Sequence, residues 1–142
     1  MSRLAIYPGS FNPFHKGHLD VLLKAEKIFD EVIIARGVNP EKIGTRYPMP
    51  QSLGDRQIKN YNGLLTDFLK GLPYDNVTVI RGLRNATDLQ YEMNQYRYIQ
   101  VLMPEIQMIS IFCDKEYEHL SSSGIRALSG YGEEHVKDYL LY

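Results

Sequence analysis

His15 and His18 stand three residues apart in the run Tyr7-Pro8-Gly9-Ser10-Phe11-Asn12-Pro13-Phe14-His15-Lys16-Gly17-His18. Two imidazoles brought to one point can stabilise charge on a transferring phosphoryl group. That chemistry needs a frame. A short apolar run, Leu4-Ala5-Ile6, precedes the motif, and an amphipathic helical pattern begins near His18. A strand, a tight Gly/Pro turn and a helix N-terminus in that order predict a phosphate site. Unpaired N–H groups of the first helical turn point outward there, and the helix dipole favours an anion. Gly9 and Gly17 let the backbone approach a ligand closely, and Pro8 and Pro13 stiffen the turn. Taken alone, each histidine reads as a cap or a satisfied surface side chain. The spacing of the pair inside the whole string carries the functional reading.

Other candidates recur at strand ends. Lys42, in Asn39-Pro40-Glu41-Lys42 after a second strand, offers a mobile point charge for a phosphate. Arg81 and Arg84, around Gly82 at the end of a third strand, suit a bidentate grip on phosphate oxygens. Ser121, Ser122 and Ser123 form a helix cap that also supplies hydroxyl donors, with Arg126 adding charge.

The elements that must position these groups follow from periodicity. Leu4 to Tyr7 reads as a buried strand. His18 to Phe29 reads as a helix with Val21, Leu22, Ala25, Ile28 and Phe29 on one face, and Glu31 to Ala35 as a second strand. Strand, helix, strand in that span is a βαβ unit, so the sheet is parallel and its site lies at the strands' carboxyl ends. Residues 36–51 read as a loop, Gly63 to Leu72 as a helix and Val77 to Ile80 as a strand. Thr87 to Met103 reads as a long helix, Gln107 to Phe112 as a strand, and Glu133 to Tyr142 as a short closing helix. The tyrosines of the long helix suit core or interface packing.

The composition sets limits. A chain of 142 residues, 44% apolar and 23% charged, is that of one globular domain, 1–142. A formal net charge of −1 gives no global basic field for nucleic acid. No run is long enough for a membrane span and the first residues lack a signal-peptide core, so a cytoplasmic location is the expectation. Cys113, the single cysteine, makes no internal disulfide, and no Cys/His cluster suggests structural zinc.

The histidine string resembles the (H/T)xGH signature of the nucleotidyltransferase superfamily. Taken with N-P-E-K, N-G-L-L-T-D-F, R-G-L-R-N-A-T-D-L-Q-Y-E-M, M-P-E-I and L-S-S-S-G-I-R, it resembles bacterial phosphopantetheine adenylyltransferases over almost the whole chain. The resemblance implies an α/β fold, a Rossmann-like parallel sheet flanked by helices, in an assembly that is often a hexamer. It implies transfer of AMP from ATP, with Mg2+ bridging the triphosphate, to 4′-phosphopantetheine. On that likeness His18 stabilises the transition state, and Ser10 and Lys42 hold the acceptor phosphate. Gly9, Phe11, His15 and Gly17 shape the ATP pocket, Arg84, Asp88 and Glu92 contact ATP, and Ser121, Ser122 and Ser123 bind the outer phosphates. Arg81 and Leu65 fall to the acceptor.

Three departures bear on the acceptor. Between Leu53-Gly54-Asp55-Arg56 and Asn62-Gly63-Leu64-Leu65 the chain is much shorter than in that family, where a helix and a strand lie, which implies a missing piece of sheet or acceptor wall. Ile99 and Gln100 stand where the family carries an Asn-Arg pair. Gly-Ser-Phe-Asn-Pro followed by His15 is more similar to nicotinamide-mononucleotide adenylyltransferases, which makes that mononucleotide the alternative acceptor. A relative that binds nucleotide without catalysis is the alternative of a different class. A Rossmann redox enzyme is disfavoured, because no G-x-G-x-x-G follows the first strand.

Overall fold

The structure is a computed structural model that describes residues 3–38 and 46–142. The chain builds β1 (Leu4–Gly9), α1 (Lys16–Glu26), β2 (Glu31–Gly37), β3 (Ile58–Tyr61), α2 (Leu65–Lys70), β4 (Thr78–Leu83), α3 (Ala86–Leu102), β5 (Gln107–Phe112) and α4 (Ser122–Ser129). The strands form one sheet in the order β3-β2-β1-β4-β5, and every pairing is parallel. This is the expected α/β architecture. The order reverses between β1 and β4, the place where open parallel sheets leave a crevice at their carboxyl ends.

Alternation along the strands explains why they read as continuous apolar runs: both faces are covered. Ala5, Tyr7, Val32, Ile34, Ile80 and Ile111 join Val21, Leu22 and Ala25 of α1 in one core cluster. Leu4, Ile6, Ile33, Ala35 and Val79 face a second cluster with Leu69 of α2, Ile106 and, at its margin, Tyr96 and Ile99 of α3.

Several boundaries differ from the sequence reading. The first helix ends at Glu26, because Ile28 and Phe29 both donate to the Ala25 carbonyl and close the turn. Arg36 and Gly37 belong to β2 rather than to a loop. The stretch thought to be missing from the sheet is present as β3, which adds to β2 in the register Ile34↔Ile58 to Gly37↔Tyr61. Its sequence, IKNY, is half polar because it is an edge strand, so it carries no apolar run to detect. Among the described residues between β2 and β3, the one further element is a short 3-10 turn, Gln51–Leu53.

The tail is not a closing helix. Beyond the 3-10 turn Glu133–His135 it runs as a strap. Leu140 pairs with His15 in an antiparallel bridge, and the Tyr139 carbonyl accepts the Lys16 N–H at 2.9 Å. Backbone groups used across the molecule in this way are unavailable for a local helix.

Candidate active site

The carboxyl ends of β1 and β4, the start of α1 and the approach to α4 enclose a cleft of about 340 Å³. Its histidine wall is built locally. His15 is the N-cap of α1, and its Nδ1 accepts the Gly17 N–H at 3.1 Å. The Nδ1 of His18 accepts the His15 N–H, also at 3.1 Å. This is a reciprocal capping box made of imidazoles. The rings stack with centroids 3.7 Å apart, and His18 also packs against Phe11 and Phe14.

Burial, followed by the positive charge of Arg84, lowers the His15 pKa to about 4. Burial also pushes His18 well below the usual imidazole range, helped by His15 and Arg84. Both rings are therefore neutral at pH 7. With each Nδ1 accepting a bond, each neutral ring carries its proton on Nε2 and retains that N–H as a donor. Capping uses one nitrogen of each side chain and leaves the other free to donate.

Gly17 makes the stack fit, since a Cβ there would lie 2.9 Å from Cε1 of His15. Gly9 is required in the same sense: its Cβ would meet the Phe11 ring at 2.8 Å. The helix start itself differs from the expected phosphate cradle. The Lys16 N–H goes to Tyr139 and the Gly17 N–H to His15, so these first-turn donors are spent within the protein.

The facing wall is ionic. Arg81 holds Glu92 through Nε at 2.7 Å and Nη2 at 2.9 Å. Arg84 holds Asp88 through Nε at 2.8 Å and Nη2 at 2.9 Å, and its Nη1 reaches the Leu120 carbonyl at 3.0 Å. The side-chain bonds to Asp88 are the main cause that raises the Arg84 pKa, and those same bonds lower that of Asp88. Two guanidinium and two carboxylate charges cancel. These arginines therefore stand paired with α3 carboxylates rather than open to phosphate, and any phosphate group must compete with or rearrange those pairs.

The third side is the turn into α4. Ser121 caps the helix by accepting the Gly124 N–H at 3.0 Å, and Ser122 Oγ donates to the Pro13 carbonyl at 2.8 Å. Arg126 donates to the Asn12 carbonyl, so its charge is tied to the signature turn.

Residues 6–128 match the cytidylyltransferase-like family. The chain belongs to that family. It is 34% identical over 139 residues to the phosphopantetheine adenylyltransferase of Clostridium novyi (strain NT), covering 92% of this chain and 85% of the relative. It is 32% identical over 139 residues to the enzyme of the same name from Clostridium tetani (strain Massachusetts / E88), covering 91% and 85%. A solved bifunctional NMN adenylyltransferase/ADP ribose pyrophosphatase from Francisella tularensis superposes with a TM-score of 0.64 at 17% identity, over 93% of this chain. The chain spans 43% of that bifunctional protein, and the likeness shows the fold. A second structure of the Francisella protein is complexed with AMP and a Mn ion.

Of the residues singled out by sequence, the family fold brings Gly9, Ser10, Phe11, His15, Gly17, His18, Arg81, Arg84, Asp88, Glu92, Ser121 and Ser122 to the cleft. Leu65 does not line it; the start of α2 packs Leu65 against the second core cluster with Tyr61 and Phe68. Ser123 sits beside Ser121, 3.4 Å between hydroxyls, outside the lining. Lys42 lies outside the described residues. The sequence reading gave Tyr7, Val21, Tyr91, Cys113, Tyr117 and Leu120 no part in the site, and they also line the cleft. Cys113 was reachable as the residue following β5, since the site was expected at strand ends; Tyr117 lies in a 3-10 turn with no such signal.

Among the described residues no group of three or more His, Cys, Asp or Glu side chains is placed to hold a metal ion. The cleft carboxylates are already engaged by arginines. Among the same residues no helix is long and apolar enough to cross a membrane.

Proposed function

We propose that the chain transfers the adenylyl group of ATP to 4′-phosphopantetheine, giving dephospho-coenzyme A and pyrophosphate. The observation that carries this reading is the stacked pair of neutral histidines, with both Nδ1 atoms fixed and both Nε2–H donors retained, at the switch point of the sheet. Membership of the family supports nucleotidyl transfer, and the names of the clostridial relatives support phosphopantetheine as the acceptor.

The acceptor phosphate is itself the nucleophile. Its oxygen forms a bond to the α-phosphorus of ATP as the bond from that phosphorus to the β-bridging oxygen breaks, and the electron pair leaves with pyrophosphate. No covalent enzyme intermediate is required. His18 donates from Nε2 to the oxygens of the α-phosphate as their charge builds, and the His15 ring holds His18 from the side. Positioning and charge stabilisation supply the rate. Ser10, exposed at the rim, and Lys42 hold the acceptor phosphate. Gly9, Phe11, Gly17, Arg84, Asp88, Glu92 and the serine run form the ATP side, and Arg81 faces the acceptor. A divalent cation would come with the substrate as Mg-ATP, the triphosphate bringing oxygen ligands, since the cleft carboxylates among the described residues are engaged by arginines. The chain works as a homo-oligomer, a hexamer on the family likeness, with the exposed apolar residues of α3 as its natural contact.

The second reading, nicotinamide mononucleotide as acceptor, is favoured by His15 and the Gly-Ser-Phe-Asn-Pro turn. Pyrophosphate release from Mg-ATP, measured in parallel with phosphopantetheine and with the mononucleotide, separates the two. Turnover with phosphopantetheine alone is the expected result. Turnover with the mononucleotide alone transfers the assignment to it, and silence with both overturns adenylyl transfer to either.

A further inference from the structure

Arg36 is a buried charge that the cleft chemistry leaves unused. It is 9% exposed, and it stands opposite Gly9 in the β1–β2 register, at the root of the signature turn. Its described partners are backbone carbonyls from two segments. Nε donates to the Ser10 carbonyl at 3.3 Å and Nη2 to the Phe11 carbonyl at 3.4 Å, while Nη2 also meets the Tyr47 carbonyl. The next two carbonyls of the turn are held from the other side, Asn12 by Arg126 and Pro13 by Ser122. Four consecutive carbonyl oxygens, Ser10 to Pro13, thus each accept a side-chain donor.

This segment has reason to need holding. Phe11 has φ +47°, a left-handed conformation that a side chain larger than glycine resists unless its surroundings fix it. Its ring lies edge-on to His18, with centroids 4.9 Å apart, and Ser10 is the exposed residue at the rim beside it. A turn free to relax would move both.

We propose that Arg36 is a positioning residue of the transfer site: its fork fixes the Ser10–Phe11 peptide, and through it the rim hydroxyl and the ring against which His18 packs. This rests on the adenylyl-transfer reading for its kinetic consequence, but not for its structural one.

The test compares wild type, Arg36→Met and Arg36→Lys in three measurements: steady-state turnover, ATP affinity by calorimetry and amide hydrogen exchange. Arg36→Met should lower kcat by about tenfold or more while the ATP Kd stays within about threefold. Exchange over residues 10–14 should quicken by about tenfold, with the amides of β4 and β5 unchanged. Arg36→Lys should fall between, because one ammonium reaches fewer of the three carbonyls than the planar fork does. Wild-type kcat in Arg36→Met overturns the proposal. So does uniformly faster exchange through the sheet, which would make Arg36 a general stabiliser. If Arg36→Met does not fold, the Arg36→Lys contrast decides by the same criteria. If the wild type turns over neither acceptor, the adenylyl reading fails separately, and unchanged exchange over residues 10–14 is then what overturns the clamp.

Discussion

The two walls of the cleft achieve order by opposite means. The histidine wall is neutral, and its geometry comes from neighbours within three residues along the chain: His18 accepts from His15, and His15 from Gly17. The arginine wall is charged and draws strand to helix, with Arg81 and Arg84 on and after β4 gripping Glu92 and Asp88 of α3. A neutral donor oriented within its own turn has no charged partner that a substrate could displace. A paired cation can exchange its carboxylate for a phosphate. Under the proposed adenylyl transfer, the first wall suits the reacting centre and the second suits capture and release of substrate.

The largest expected effect falls on the neutral wall. His18→Ala should lower kcat by about a hundredfold to a thousandfold with the ATP Kd little changed, read by steady-state kinetics and calorimetry. Near-normal turnover would remove the histidine from the mechanism. The neutrality itself has a thermodynamic signature. His15 has a folded pKa of about 4, below its unfolded value, so the unfolded chain binds the proton first as pH falls. Its contribution is present above pH 6.5 and lost toward pH 4, by up to about 3 kcal/mol. Urea unfolding across that range should therefore show a slope that His15→Asn, which keeps a capping oxygen, makes shallower. An unchanged slope would mean that His15 titrates normally.

Gly17→Ala sharpens the contrast within the same wall. The new methyl group must push the His15 ring, so kcat should drop about tenfold. Alanine's helix preference, about 1 kcal/mol, offsets part of the cost of displacing that buried ring, so thermal stability should change less than activity. A matched fall in both would point to misfolding instead. The smallest effect belongs to the charged wall. Asp88→Asn loses one charge-assisted pair that is partly open to solvent, so denaturant unfolding should register about 1 kcal/mol. A much larger loss would show that the arginine wall is as rigid as the other.

The same contrast explains what could be read in the sequence. β1, β2 and β4 were visible because both faces of the sheet are covered and the apolar residues run on, and β5, although an edge strand, because Met108, Ile109 and Ile111 still pack against the two clusters. β3 was not, because an edge strand of Ile58-Lys59-Asn60-Tyr61 buries too little to leave a pattern. The histidine pair was legible since its spacing is also its geometry. Arg84 and Asp88, four apart, were seen as site residues, but their use on each other was not, and Arg81–Glu92 spans eleven positions across two elements. Arg36 was passed over as part of a loop, because nothing in its neighbourhood along the chain announces three carbonyls brought to it by folding.

The strap formed by Tyr139 and Leu140 has a consequence in time. The signature turn leaves the ribosome well before the groups that accept the Lys16 N–H and pair with His15, which follow more than a hundred residues later. During synthesis the histidines exist long before their support does. A nascent chain halted before Tyr139 has the motif in sequence but lacks the carbonyl that accepts the Lys16 N–H, so the helix start gains its last backbone partner only when that stretch is made.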